Sequence, residues 1–227
     1  MTVTLTPRVV AAARVSPHME DAELPGVPGF VASAFNPLVR ETVRRCLGEP
    51  GTAGAPNPLV GPYPDSTAIV LATVAGDATT SDLASRKLIS GRVHNPLLFF
   101  QSVTTSILGH LTIEYGLTGP VSCIAADSGV GEEALAATEL LLTDDAIDQV
   151  LVIAAELAVN PRTRAAFGHL ADRGGTARPP EGDLAVALLL RRPGDDRPAA
   201  ARPGYQDLDG AGHLRHLAAL ADSGPHR

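Results

Sequence analysis

A chain of 227 residues, 44% of them hydrophobic and only 4% aromatic, encodes a globular protein whose core must rest on Ala, Val and Leu. Its formal net charge of −7 excludes the clustered basic surface that nucleic acid demands. Its two cysteines, Cys46 and Cys123, have neither CxxC nor zinc spacing, the first residues lack a basic flank followed by an apolar stretch, and no apolar run is long enough for a membrane span, so free thiols, no metal, no cofactor and a cytoplasmic location are expected.

The stretch TVTLTPRVVAAARVS is β-prone but carries Pro7, which predicts an irregular or edge strand, and a loop follows as far as Phe35. Asn36 and Pro37 read as N-cap and first position of a helix in which Val39, Val43 and Leu47 recur at helical spacing. Residues 48–64 are rich in Pro and Gly and form a loop, ended by STAIVLATVAG, a buried strand. SDLASRKLISG is a short helix capped by Ser81. Beyond Asn95-Pro96, FFQSVTTSILGHLTIEYG reads as a helix with Phe100, Val103, Ile107 and Leu111 on one face and small Ser102, Thr105 and Gly109 away from it.

GPVSCIAADSGVGEEAL then supplies a strand, VSCIAA, and a helix from Val130 to about Thr143. On that helix Glu132, Ala136, Glu139 and Thr143 lie opposite Ala134, Ala137 and Leu141. QVLVIAA and EGDLAVALLLRR are two further strands. The strand–helix–strand order predicts an α/β fold with a mostly parallel mixed sheet and helices on both faces. From Pro193 the composition turns to Gly, Pro, Asp and Arg, so residues 1–192 read as the domain and 193–227 as a tail of low order with a weak helix at HLRHLAALAD.

The chemistry to be tested centres on the turn at Ser128. Gly129-Val130-Gly131-Glu132-Glu133-Ala134 fits a dinucleotide-binding GxGxxA after a strand, with Glu156 at the end of the next strand as the ribose-binding acid. Glu132 and Glu133, however, occupy the first helical turn, where a pyrophosphate needs N–H groups and positive potential. A second reading makes Ser128 a nucleophile on a strand-to-helix elbow, but no histidine in an ordered segment presents itself as its base: His110 reads as packed or capping, and His213 and His216 fall in the tail. A serine at a helix start is also an ordinary cap.

The third reading is a resemblance. The run from Asn95 to Ala158 resembles the N-terminal half of a β-ketoacyl synthase of the thiolase-like fold, with Gly109-His110, Gly119-Pro120 and Ala154-Ala155-Glu156 in the family's places, and EGDLAVALLL is similar to its next strand. The resemblance spans about residues 67 to 190. It puts Ser128, or Ala126 in a shifted register, where the family has its nucleophilic cysteine, and this chain has no counterpart of the family's two C-terminal histidines. An unassisted hydroxyl is a far weaker nucleophile than a thiolate.

Ala126-Asp127-Ser128-Gly129-Val130-Gly131 is in turn similar to the AEQAGG run of chain-length factors, and the short factors of highly reducing, polyene-making type II polyketide systems are the nearest likeness. This resemblance implies a catalytically inactive subunit, with Ser128 a vestige, that pairs with a ketosynthase and through it meets an acyl carrier protein. It implies an interface strand from Val121 through Ser122, Cys123, Ile124 and Ala125 to Ala126. It further implies that Phe99, Val103, Thr104 and Ile107 cap the partner's acyl tunnel. A serine-dependent acyltransferase or starter-selecting enzyme using Ser128 is the alternative.

Overall fold

The computed structural model describes residues 7–16, 23–52, 54–91, 97–127, 129–195 and 209–222. Five strands, β1 (Arg8–Val15), β2 (Thr67–Ala72), β3 (Val121–Ile124), β4 (Gln149–Glu156) and β5 (Leu184–Arg191), form one sheet in the order β1-β5-β4-β2-β3. Strands β2, β3 and β4 are mutually parallel, and β5 runs antiparallel to both β4 and β1. The mixed, mostly parallel sheet is as the sequence predicts, and the first strand, which begins just after Pro7, does lie at an edge.

Side-chain alternation sorts the sheet into two apolar layers. Ile69, Leu71, Leu151, Ile153, Ala187 and Leu189 point to one face. There they meet helix α1 (Phe35–Leu47) through Phe35, Leu38, Val39 and Val43, and helix α4 (Ser106–Tyr115) through Ile107, Leu108 and Leu111. Val70, Val150, Val152, Val186 and Leu188 point to the other face, under helix α5 (Val130–Leu141) and a C-terminal pair, a 3₁₀ turn Asp209–Leu214 and helix α7 (Arg215–Asp222). Because both faces are covered, β4 and β5 are buried along their whole length and read as unbroken apolar runs.

Local chemistry departs from expectation in four places. Helix α1 begins at Phe35, and Asn36 is no cap: it is buried inside the helix, with Nδ2 donating to Asp77 Oδ2 at 3.4 Å. Helix α2 (Ala78–Ile89) is capped by Asp77, not Ser81, because the Asp77 carboxylate accepts from Thr80 N–H at 3.0 Å and Thr80 Oγ1 at 2.8 Å. The helix expected over Phe99–Gly116 is two: α3 (Leu97–Ser102) and α4, separated at 103–105, so Phe100 leaves the face that Ile107 and Leu111 share and is exposed. A helix the sequence reading passes over, α6 (Pro161–Asp172), is capped by the Asn160 side chain on Arg162 N–H.

The C-terminal segment behaves least as expected. Within the stretch read as a tail, Leu214, Leu217, Ala218 and Ala221 are all buried against β1, β5 and α5. The apolar positions of HLRHLAALAD recur at three and four, which makes one narrow stripe, and the sheet face beyond α5 supplies the surface that stripe needs. No helix among the described residues is long and apolar enough to cross a membrane.

Candidate functional site

Three neighbouring features hold the residues singled out from sequence: the open edge strand β3, the helix pair α3–α4 before it, and the elbow after it. Among the described residues strand β3 pairs only with β2, in a register that sets Val121 opposite Ile69 and Ile124 opposite Ala72. Val121, Ser122 and Cys123 are exposed, Val121 at 50%, whereas every residue of β2, β4 and β5 is buried. Pro120 and Ile124 carbonyls accept from β2 and from the residue after it, so the alternation of a parallel ladder turns the backbone groups of Val121 and Cys123 toward the open edge. The strand ends at Ile124, which leaves Ala125 and Ala126 just beyond it, in the turn, rather than inside the strand. Desolvation pushes the Cys123 thiol above its ordinary value and keeps it protonated, so it is not an activated nucleophile.

Helices α3 and α4 add exposed apolar surface. Phe99 and Phe100 are 70% and 69% exposed and Val103 is 38% exposed. Thr104 is half-buried against Gly76, and Ile107 is fully buried in the core, backing the segment from within. On α4, Gly109 has open space where a Cβ would stand, and Ile113, one turn on, is 86% exposed. The small second face that the sequence shows is therefore uncovered in the single chain. Its buried side is fixed by Arg40 on α1, whose Nε donates to Glu114 at 2.9 Å, and by Tyr115, whose hydroxyl donates to the Gly48 carbonyl at 2.8 Å. His110 packs edge-on to Phe30 and lies 3.6 Å from Glu114, a structural role that matches the sequence expectation.

At the elbow, Ser128 lies outside the described residues. Gly129, with φ +66°, opens α5, and Glu132 and Glu133 stand exposed in its first turn. The C-terminal segment meets this turn across an open cleft of ≈ 520 Å³ between Gly129, Glu132, Thr176, Arg215 and His216. His216, set aside in the sequence as a tail residue, sits 3.7 Å from the Glu132 carboxylate. No sequence signal pointed to it, because only the packing of α7 brings position 216 to the start of α5. Among the described residues no group of His, Cys, Asp and Glu has the arrangement of a metal site.

Glu156 is wholly buried and is committed to protein partners: it accepts from Val74 N–H at 2.8 Å and Ala75 N–H at 3.1 Å. A carboxylate so engaged does not face a ribose, and with Glu132 and Glu133 at the helix start the dinucleotide reading fails.

A five-stranded sheet with one antiparallel strand, layered by helices on both faces and ending in an open parallel edge, is the ketosynthase-like half of the thiolase-type fold. Solved structures of that class match it. A ketosynthase in complex with its chain length factor from Xenorhabdus doucetiae matches at TM-score 0.58 and 18% identity, over 83% of this chain and 79% of that chain. The ishigamide ketosynthase/chain length factor matches at TM-score 0.62 and 17% identity over 85% of this chain. A type II polyketide acyl carrier protein in complex with its ketosynthase matches at 0.59 and 14% over 84%. This chain spans 64% of the matched chain in each of the last two structures. No family model matches the sequence, and no curated protein does.

Proposed function

We propose that this protein is a chain-length factor: a catalytically silent subunit that binds a ketosynthase along β3 and walls off the far end of its acyl tunnel. The observation that carries the reading is the contrast within one sheet, an edge strand with exposed Val121, Ser122 and Cys123 beside strands buried throughout, flanked by exposed Phe99 and Phe100. Unpaired edge groups and adjoining apolar surface are what a second sheet covers when it adds in register. Ala125 and Ala126, past the strand's end, extend that contact into the turn. Phe99, Val103 and Thr104 then face the partner's cavity, with Ile107 as their support. A growing acyl chain that outruns this wall loses burial of about 0.8 kcal/mol per methylene and incurs overpacking, which sets its length.

The absence of a thiol at the elbow leaves condensation to the ketosynthase, and the acyl carrier protein delivers its substrates to the complex. Cys46 and Cys123 form no disulfide, which suits the reducing cytoplasm as the site of action. The products are reduced polyene chains, in keeping with the short factors that the sequence resembles. Co-expression with the ketosynthase encoded nearest to it tests the reading. A one-to-one complex is expected in which Phe99→Ala or Val103→Ala lengthens the products. Two independently eluting proteins would end it.

One observation favours a second reading. The Glu132–His216 pair lies beside Gly129, the residue that follows Ser128 in the sequence, and offers the base and orienting carboxylate that a serine-dependent acyl transferase requires. Incubating the protein with an acyl-thioester donor separates the two: added mass on Ser128, lost in His216→Ala, supports the transferase, and an unmodified Ser128 supports the silent subunit.

A further inference from the structure

The turn between β2 and α2, residues 73–77, is held from several sides at once. Besides Val74 and Ala75, Glu156 accepts from Thr73 Oγ1 at 3.3 Å. Thr73 Oγ1 accepts from Gly76 N–H at 2.9 Å, and Thr73 N–H donates to the carbonyl of Ile124, the last residue of β3, at 3.1 Å. Asp77 holds α2 on one side and Asn36 of α1 on the other. A buried carboxylate is tolerated only with its oxygens filled by donors, and drawing those donors from one turn fixes that turn's backbone.

Gly76 is where the turn meets the tunnel segment. It is buried, its φ is +61°, and a Cβ there would run into Thr104 Oγ1. The same five residues thus touch the end of the open edge strand and the α3–α4 junction that carries Val103 and Thr104. Since Glu156 and Ile124 hold the turn from behind, bulk added at Gly76 is relieved on the Thr104 side, by rotation of that side chain or by a shift of the 103–105 junction that carries it.

We propose that the 73–77 turn sets how far the Phe99–Thr104 segment stands toward the ketosynthase, with Gly76 the contact and Glu156 the anchor, so that these two positioning residues tune product length without touching the acyl chain. The proposal rests on the reading of Phe99, Val103 and Thr104 as the tunnel wall.

The test uses the full-length chain co-expressed with the ketosynthase encoded nearest to it, reading the product-length distribution of purified complexes by mass spectrometry. Gly76→Ala is expected to move the distribution toward shorter chains by about one extension unit. The double variant Gly76→Ala/Thr104→Ala is expected to restore the parent distribution. Left-handed backbone strain at 76 is the same in both, and Thr104→Ala alone measures what the lost wall bulk does, so restoration beyond the sum of the two single effects follows the contact, and simple additivity overturns it. Should Gly76→Ala fail to assemble, Glu156→Gln decides instead, with a broadened distribution expected and a parent-like one overturning the proposal. An assembled Gly76→Ala complex with parent products, while Phe99→Ala still lengthens them, overturns the positioning role and leaves the wall intact. Parent products from Phe99→Ala as well would bring down the wall reading and this inference with it.

Discussion

Strands β3 and β4 flank β2 on either side and run parallel to it, yet β4 is buried at all eight positions while three of the four residues of β3 are exposed. The difference lies in neighbours. β4 has β2 and β5 beside it and helices above and below, whereas β3, among the described residues, has one strand beside it and an open edge. A strand of the first kind is set by the folding of its own chain. One of the second kind is finished only by another surface, and an unfinished apolar edge is a hazard that proteins otherwise blunt with charge or proline. VSCI carries neither within the strand.

The largest effect expected from breaking this contrast is at the centre. Ile153→Ala, in β4 and fully buried, should cost about 3 kcal/mol, read as a shift in the urea midpoint. Leu217→Ala should cost about 2–3 kcal/mol, since α7 is part of the core, and a value near zero would return residues 209–222 to the status of a tail.

An intermediate effect comes from α1. Hydrogen bonds from Arg44, then Arg45, hold the Glu41 carboxyl down at about 2 against its ordinary 4.5. The folded value lies below the unfolded one, so this stabilisation is complete above about 4.5 and is lost as the pH falls toward 2. Allowing for the half-exposed arginines, about 1–2 kcal/mol should disappear over that window, and Glu41→Gln should flatten the pH dependence of the thermal midpoint there.

The smallest effect on stability, and the sharpest on assembly, belongs to the edge. Cys123→Pro removes an N–H that points away from β2, so it should change stability by less than about 1 kcal/mol while abolishing copurification of the ketosynthase. A complex that survives this substitution would separate the edge strand from the interface.

The dipeptide Asn-Pro shows how far local sequence carries. At 160–161 it is an N-cap and first helical residue, as the rule predicts, and it opens α6, a helix hard to find from periodicity because only Thr163 and Phe167 are buried. At 36–37 the same pair sits inside a helix already begun, because burial beneath α2's cap draws the Asn36 side chain to Asp77. The break between α3 and α4 is equally invisible in the pattern, since Phe100 and Val103 continue the helical spacing but stand exposed around it.

By itself the sequence determined the strands, their mostly parallel order and the charged outer side of α5, because long apolar runs and one-sided periodicity leave few ways to bury a chain's hydrophobic surface. Only the tertiary structure decided that α7 closes the second face, that His216 reaches Glu132, that Glu156 serves the 73–77 turn and that β3 stays open. Each of these depends on partners far apart in the chain, and local propensity carries no information about which distant surface a short stripe or a buried carboxylate will meet.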